Sequence, residues 1–298
     1  MKRENRFKLK RFDLFDCLNA ILMVMICLSV FYPIWYVLVN SLNESSDAVR
    51  GPVFWFPRVF SLEAYEAVFT SSGILTSFGV TVARTLLASS LHVFFTAMVA
   101  YALTKKYLIA RKFYILIGTV TLFFSGGLIP YFILIRNLGL YDNFLVYIFP
   151  AMFSFFNLLI FQAFFRQLPV EMEESAKIDG ANDLFIFVRI IIPLSAPVIA
   201  TIALFVGVGN WNDYFTGVIF IGRNQHLLPV QTFLYKIIAE TSSNQIANNM
   251  PVGASLRRVS STSIKLAMMI ITTLPIVMTY PFLQKYFVKG LLLGAIKG

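Results

Sequence analysis

The sequence predicts an all-α integral membrane protein: a six-helix transmembrane bundle with one cytoplasmic loop too structured to be a connector. Three observations predict it. The chain of 298 residues is 58% apolar and only 13% charged, with a mean hydropathy of +0.74, whereas soluble domains are about 45–50% apolar and about 25% charged. Six stretches are apolar enough to cross a hydrocarbon core ~30 Å thick, which takes about 20 helical residues. Basic residues gather on alternate connections. This composition excludes a secreted disulfide scaffold, a disordered regulator and an ordinary cytosolic enzyme.

Residues 1–13 form a basic leader carrying Lys2, Arg3, Arg6, Lys8, Lys10 and Arg11. From residue 14 to 298 the chain reads as a single transmembrane domain. The first span, 14–39, is longer than the apolar core of a signal peptide, and Asn40–Ser46 offers no small-x-small cleavage pattern, so the span is expected to be retained. Cys17 and Cys27 fall within it. On a helix they would lie ~15 Å apart, beyond the ~7 Å that a disulfide tolerates, so they read as apolar fillers. Asp16 reads as interfacial.

The second span, 78–103, contains Arg84 and His92. Arg84 either pairs with a carboxylate, faces a cavity or snorkels, and His92 reads as a packing histidine. The third and fourth spans are expected near 113–135 and 144–165. The fifth, 190–221, is long for one crossing, so part of it is expected at the interface or bent. The sixth is expected at 264–287. Pro33, Pro130, Pro193, Pro197 and Pro275 fall in or beside spans, where prolines are tolerated as kinks.

Orientation follows from the Lys and Arg distribution. The leader, Lys105, Lys106, Arg111, Lys112, Arg166, Lys177, Arg189, Lys285, Lys289 and Lys297 share one side. The opposite connections, 40–77, 136–143 and 222–263, are longer in total and poorer in basic residues. The positive-inside rule places both termini in the cytoplasm. It also explains most of the net charge of +10, leaving no reason to invoke nucleic acid.

The loop 166–189 departs from a basic inner connector. It is acidic, with Glu171, Glu173, Glu174, Asp179 and Asp183, and it has helix punctuation. Pro169 suits a first turn, and the glutamates sit where the positive end of a helix dipole favours carboxylates. Val170, Glu174 and Ile178 are spaced to share a face. Gly180 can end the helix in the left-handed conformation, and Asn182 or Asp183 can cap a second helix. The expectation is a helix–turn–helix with small residues at its bend, suited to close approach by another protein. Anionic lipid would attract Lys and Arg instead.

A polar cluster, Asn210, Trp211, Asn212, Asp213 and Tyr214, interrupts the fifth span after Gly207 and Gly209. Ionisable groups at membrane depth usually face protein or a water-filled cavity. Amides and carboxylates can bond sugar hydroxyls, and aromatic faces can stack on pyranoses. The cluster therefore reads either as a path lining, together with Arg84, or as a structural device holding a kinked helix or a partner subunit.

Glu174-Ser175-Ala176, Gly180, Ile190 and Ile192-Pro193 occur at a spacing that resembles the EAA signature of permease subunits in binding-protein-dependent ABC importers. Ser175 and Ile192 depart from the usual Glu-Ala-Ala and Leu-Pro. Phe56-Pro57, Ser61 to Tyr65, Gly127 to Pro130, Asn137 to Leu140 and Asn210 to Tyr214 resemble the carbohydrate-uptake group, which includes maltose and alginate importers. Phe124 to Gly127 resembles the subgroup taking up complex or acidic oligosaccharides. The resemblance implies the type I ABC importer permease fold, in the bacterial cytoplasmic (inner) membrane. It implies that the loop couples to a cytoplasmic ATPase through Glu171, Glu173, Glu174, Ser175, Ala176, Asp179, Gly180 and Ala181. Implied partners are a second permease subunit of different sequence, two ATPase subunits, an extracytoplasmic solute-binding protein and an oligosaccharide. Segments 40–77 and 222–263, with Phe54, Trp55 and Phe56, would then receive the binding protein as well as form an aromatic belt.

No GxxxxGK[ST] sequence occurs, so no cofactor is expected on this chain, and ATP with Mg²⁺ is expected on the partner ATPase. An intramembrane serine protease is disfavoured because Phe123 stands where GxSG needs glycine before Ser125. No Asp-rich metal motif appears either. The remaining alternative is a stand-alone secondary transporter or channel, for which clear repeats and buried coupling charges are missing.

Overall fold

The computed structural model describes residues 14–71, 73–244 and 261–295. The basic leader 1–13 and Arg257, Arg258 and Lys297 lie outside the described residues. Among those residues the chain is helical between turns, and the one β feature is an isolated antiparallel bridge from Asn43 to Phe60. In chain order the helices are α1 Leu14–Ser41, α2 Glu63–Thr70, α3 Ile74–Ala102, α4 Arg111–Phe123, α5 Leu128–Asn137 and α6 Phe155–Phe165. They continue with α7 Val170–Ile178, α8 Asp183–Ile186, α9 Ile192–Leu194, α10 Ala196–Asn212, α11 Phe215–Phe220, α12 Val230–Asn244 and α13 Ser261–Ala295. Two compact units result: Met1–Thr70 with Asn249–Ile270, and Ser71–Asn248 with Ile271–Gly298.

In the first unit, the apolar window of α1 has none of its residues buried. Cys17 and Cys27 are free and exposed on it. The chain after α1 is fastened by polar contacts. Asn40 Nδ2 donates to Val53 O at 2.6 Å, and Val53 N donates back to Asn40 Oδ1 at 2.9 Å. Asn43 Oδ1 accepts from Arg58 N at 2.9 Å, while Asn43 Nδ2 donates to Asp47 Oδ2 at 3.0 Å. Arg58 closes the ring on Asp47 at 3.1 Å. The aromatic run packs on the end of α1, with Trp35 Nε1 donating to Trp55 O at 3.0 Å and Tyr36 beside Phe54.

In the second unit, α3 is the central rod. It packs against α10 and α6, and the core joins Ala97, Ala100 and Tyr101 of α3 to Leu158 and Phe161 of α6, Ile186 and Phe187, and Ile202 of α10. At the α3–α10 crossing Gly207 faces Ser89 and Thr85, and a Cβ there would make only an ordinary contact, 3.6 Å from Ser89 Oγ.

Among the described residues three helices are long and apolar enough to cross a membrane: Leu14–Ser41, Ile74–Ala102 and Thr262–Thr279. The other expected spans are helical but not continuous. The third divides at 124–127, where Gly126 and Gly127 precede the proline-containing start of α5. The fourth starts as a 3-10 turn, Phe144–Tyr147, and becomes α-helical only at Phe155, beyond Pro150. The fifth bends by 83° between Asp183–Leu194 and Ala196–Asn212. A wide turn over Phe187–Ile191 precedes Pro193, and proline lacks the N–H that a continuous helix would need there. A bent or interfacial part is expected of the fifth from its length, whereas the divisions of the third and fourth leave no mark in their hydropathy.

Candidate functional site: the α7 loop and the Arg84–Asp213 junction

The loop 166–189 folds as a helix–turn–helix. Pro169 stands at the N-cap of α7 with φ −60°, one position before the first helical residue. The helix ends in a Schellman-type turn: Ala181 N donates to Ala176 O at 2.9 Å and Gly180 N to Lys177 O at 3.0 Å. Gly180 takes φ +84° there, a conformation that costs a residue with a Cβ about 1 kcal/mol or more. Asn182 then caps α8, its Oδ1 accepting from Phe185 N at 2.8 Å.

The two faces of α7 differ. Ala176 and Ala181 pack against the α3–α6–α10 core. Glu173, 23% exposed, meets the ammonium of Lys105, which is 9% exposed and lies 3.8 Å from the Tyr101 ring centre. Tyr107 donates a hydrogen bond to Asp183, and Lys177 Nζ lies 3.4 Å from the other Asp183 oxygen. That bond, first among several causes, pushes the Tyr107 phenol up to about 12. Outward, Val170, Glu174 and Ile178 are exposed, Ile178 at 86%; Glu171, Ser175, Asp179 and Gly180 are exposed as well. The site thus divides into residues that brace the helix (Glu173, Ala176, Ala181) and residues that present it. Lys105 and Tyr107 are the bracing partners that sequence reading missed. Both were legible only as basic or aromatic members of an inner connection, since their partners lie 68 and 76 positions away.

Arg84 is 1% exposed at the junction of α10 and α11. Its Nη2 donates to Asn210 O and, at 2.6 Å, to Asp213 O, and its Nη1 lies 3.4 Å from the Asp213 carboxylate. The guanidinium also sits 4.9 Å from the Tyr147 ring centre. These carbonyls belong to the last turn of α10 and to the capping residue that follows it, where no intrahelical donor remains, so a buried cation is well placed. Asp213 Oδ1 accepts from Thr216 N at 3.1 Å and starts α11. Trp211 Nε1 donates to Thr272 O at 3.0 Å, Asn212 bonds back to Val208 O at 3.0 Å, and Tyr214 stacks on Tyr235 at 4.9 Å. Arg84 and the cluster are therefore brought together as a fastening across a helix break. His92 is 4% exposed, and its Nδ1 lies 2.5 Å from Ala151 O. Nδ1 must be the protonated nitrogen, leaving Nε2 to accept from Asn157 at 2.8 Å, as expected of a packing histidine.

Among the described residues no group of His, Cys, Asp and Glu could hold a metal ion. The family described as binding-protein-dependent transport system inner membrane component matches residues 85–292. The protein LplC of Bacillus subtilis (strain 168) is 37% identical over 289 residues, 95% of each chain. A polygalacturonan/rhamnogalacturonan transport system permease protein, YtcP, of the same organism is 37% identical over 285 residues, 96% of this chain and 99% of the relative. In three dimensions the fold is similar to a chain of a bacterial ABC transporter involved in the import of the acidic polysaccharide alginate. The TM-score is 0.84 at 29% identity, covering 94% of this chain and 99% of that one. With a matched helical fold and two relatives of near-equal length, the chain belongs to the family of inner membrane permease components of binding-protein-dependent ABC importers.

Proposed function

We propose that this chain forms half of the translocation pathway of an ATP-driven importer of oligosaccharides. A solute-binding protein delivers the sugar on the outside. A second permease of different sequence completes the pathway, and the unburied α1 is a surface available to it. Two cytoplasmic ATPase subunits hold the ATP and Mg²⁺ and grip α7, with both termini of this chain on their side of the membrane. The observation that carries this reading is the split character of α7. One face is braced through Lys105–Glu173 and Ala176, while Val170, Glu174 and Ile178 point outward unburied. A force on that face reaches the core through ionic and packing contacts instead of dissipating in a loose loop. An acidic sugar is the finer reading, supported by the substrates named for YtcP and for the alginate transporter.

The test is co-purification with the natural ATPase and ATP-dependent uptake into vesicles. Glu174→Lys is expected to lower both by at least tenfold while membrane insertion stays normal, because Glu174 is exposed. Unchanged association would overturn the docking role.

A further inference from the structure

The third apolar segment is interrupted near its centre. Four consecutive residues, 124–127, leave the helical pattern between α4 and α5, and Gly127 takes φ +82°. All four are exposed. Few bonds fasten the break: Phe124 N donates to Val120 O at 3.1 Å, Gly127 N approaches Ser125 Oγ at 3.4 Å, and Tyr131 N donates to Gly127 O at 3.3 Å. Irregular backbone at membrane depth is excluded from lipid, because each unsatisfied N–H or C=O there costs several kcal/mol. It is tolerated where it lines water or protein.

A cavity of about 300–1,000 Å³ is the scale of a small-ligand site, and here an open one of 530 Å³ lies against this break. Ser125, Gly126 and Gly127 line it together with Tyr131, Phe215 and the apolar side chains of Leu128, Pro130 and Leu134. Phe215 is the first residue of α11, immediately after the second break at Asp213–Tyr214. Two helix interruptions, far apart in sequence, thus converge on one cavity. Its lining is mostly apolar, with one hydroxyl, one phenol and the backbone of 125–127 as its polar groups, and it includes no Asp, Glu, Lys or Arg.

We propose that this cavity is a subsite on the solute path that holds an uncharged part of a sugar ring. Ser125, the exposed backbone of 125–127 and the Tyr131 phenol would bond its hydroxyls, with its apolar face against Phe215. Any carboxylate on the sugar is read elsewhere. The subsite rests on the importer reading above, and it moves the path from the Arg84 junction, whose guanidinium is 1% exposed and pinned to the Asn210 and Asp213 carbonyls, to a neighbouring break.

The test uses the full complex in membrane vesicles, with Cys17→Ala and Cys27→Ala removing both native thiols. Ser125→Cys is treated with a charged, membrane-impermeant maleimide, and Leu116→Cys on α4 serves as the control. The account expects Ser125→Cys to be labelled at least tenfold faster than the control, and labelling to slow at least threefold with binding protein and a rhamnogalacturonan digest. Tyr131→Phe should raise the KM for uptake of that digest several-fold at unchanged kcat. Labelling no faster than the control, or labelling that the digest leaves unaltered while uptake of it proceeds, overturns the subsite and leaves the importer intact. Absence of any ATP-dependent uptake by the unmodified complex would instead overturn the importer reading and the subsite with it.

Discussion

Arg84 shows how one side chain can decide a local fold. It is buried, and it satisfies two carbonyls at the end of α10 as well as the Asp213 carboxylate. Asp213 is 31% exposed, so the main loss on removing the guanidinium is that of its bonds to buried carbonyls, about 1–3 kcal/mol for each group left unpaired. Arg84→Gln is therefore expected to lower thermal stability in detergent strongly. Asp213→Asn should cost much less, because the backbone carbonyls still hold the guanidinium. Equal losses would mean that the carboxylate is the main partner. The polar cluster was visible in the sequence as a group, but its division of labour was not. Asn210 contributes its carbonyl rather than its amide, and a backbone acceptor leaves no trace in residue type. Asp47 carries a pH prediction at the same scale. Its carboxyl is held below the usual carboxylate value, first by the hydrogen bond from Asn43 and further by Arg58 and Arg50. Its stabilising contribution is therefore full above about pH 4 and lost as pH falls through the lowered folded value. In a Trp211→Phe chain, acid should loosen the Trp35–Trp55 contact, and Asp47→Asn should flatten that dependence in tryptophan emission.

At the scale of elements, α7 was nearly fully legible. Its acidic first turn, its terminating glycine and the capping asparagine are local signals, and local signals survive translation into structure. Gly180→Ala should cost about 1 kcal/mol through its positive φ, and Asn182→Ala about as much through the lost cap. Both are readable as faster backbone hydrogen exchange over 170–186 with helix content unchanged. No such effect would mean that the turn is held by packing alone. The apolar spans were legible as segments but not as continuous rods. Hydropathy reports which residues avoid water, and it is silent on where the backbone bends. The breaks at 124–127 and at Ser195 sit beside Gly126-Gly127 and Pro193, which were on view. The length of the fifth span pointed to a bent or interfacial part, but glycine and proline are tolerated in membrane helices often enough that Gly126-Gly127 alone does not predict the break at 124–127. The Lys105–Glu173 brace was illegible for a different reason, since nothing local links the two positions.

For the whole molecule, partner dependence follows from what the chain leaves uncovered. With α1 unburied over its apolar window and α7 presenting apolar and acidic groups outward, the chain is built as one component of an assembly. Purified alone it should show no ATP hydrolysis, and co-expression with its partner permease should raise its yield in the membrane. The most direct measurement of the central claim is site-specific photo-crosslinking in intact membranes. A photoreactive residue in place of Ile178 or Val170, on the outward face of α7, should join this chain to a cytoplasmic ATP-binding polypeptide. The same probe in place of Ala176, packed inward, should not. Crosslinks from position 178 to lipid alone, or to a protein outside the cell, would contradict the account.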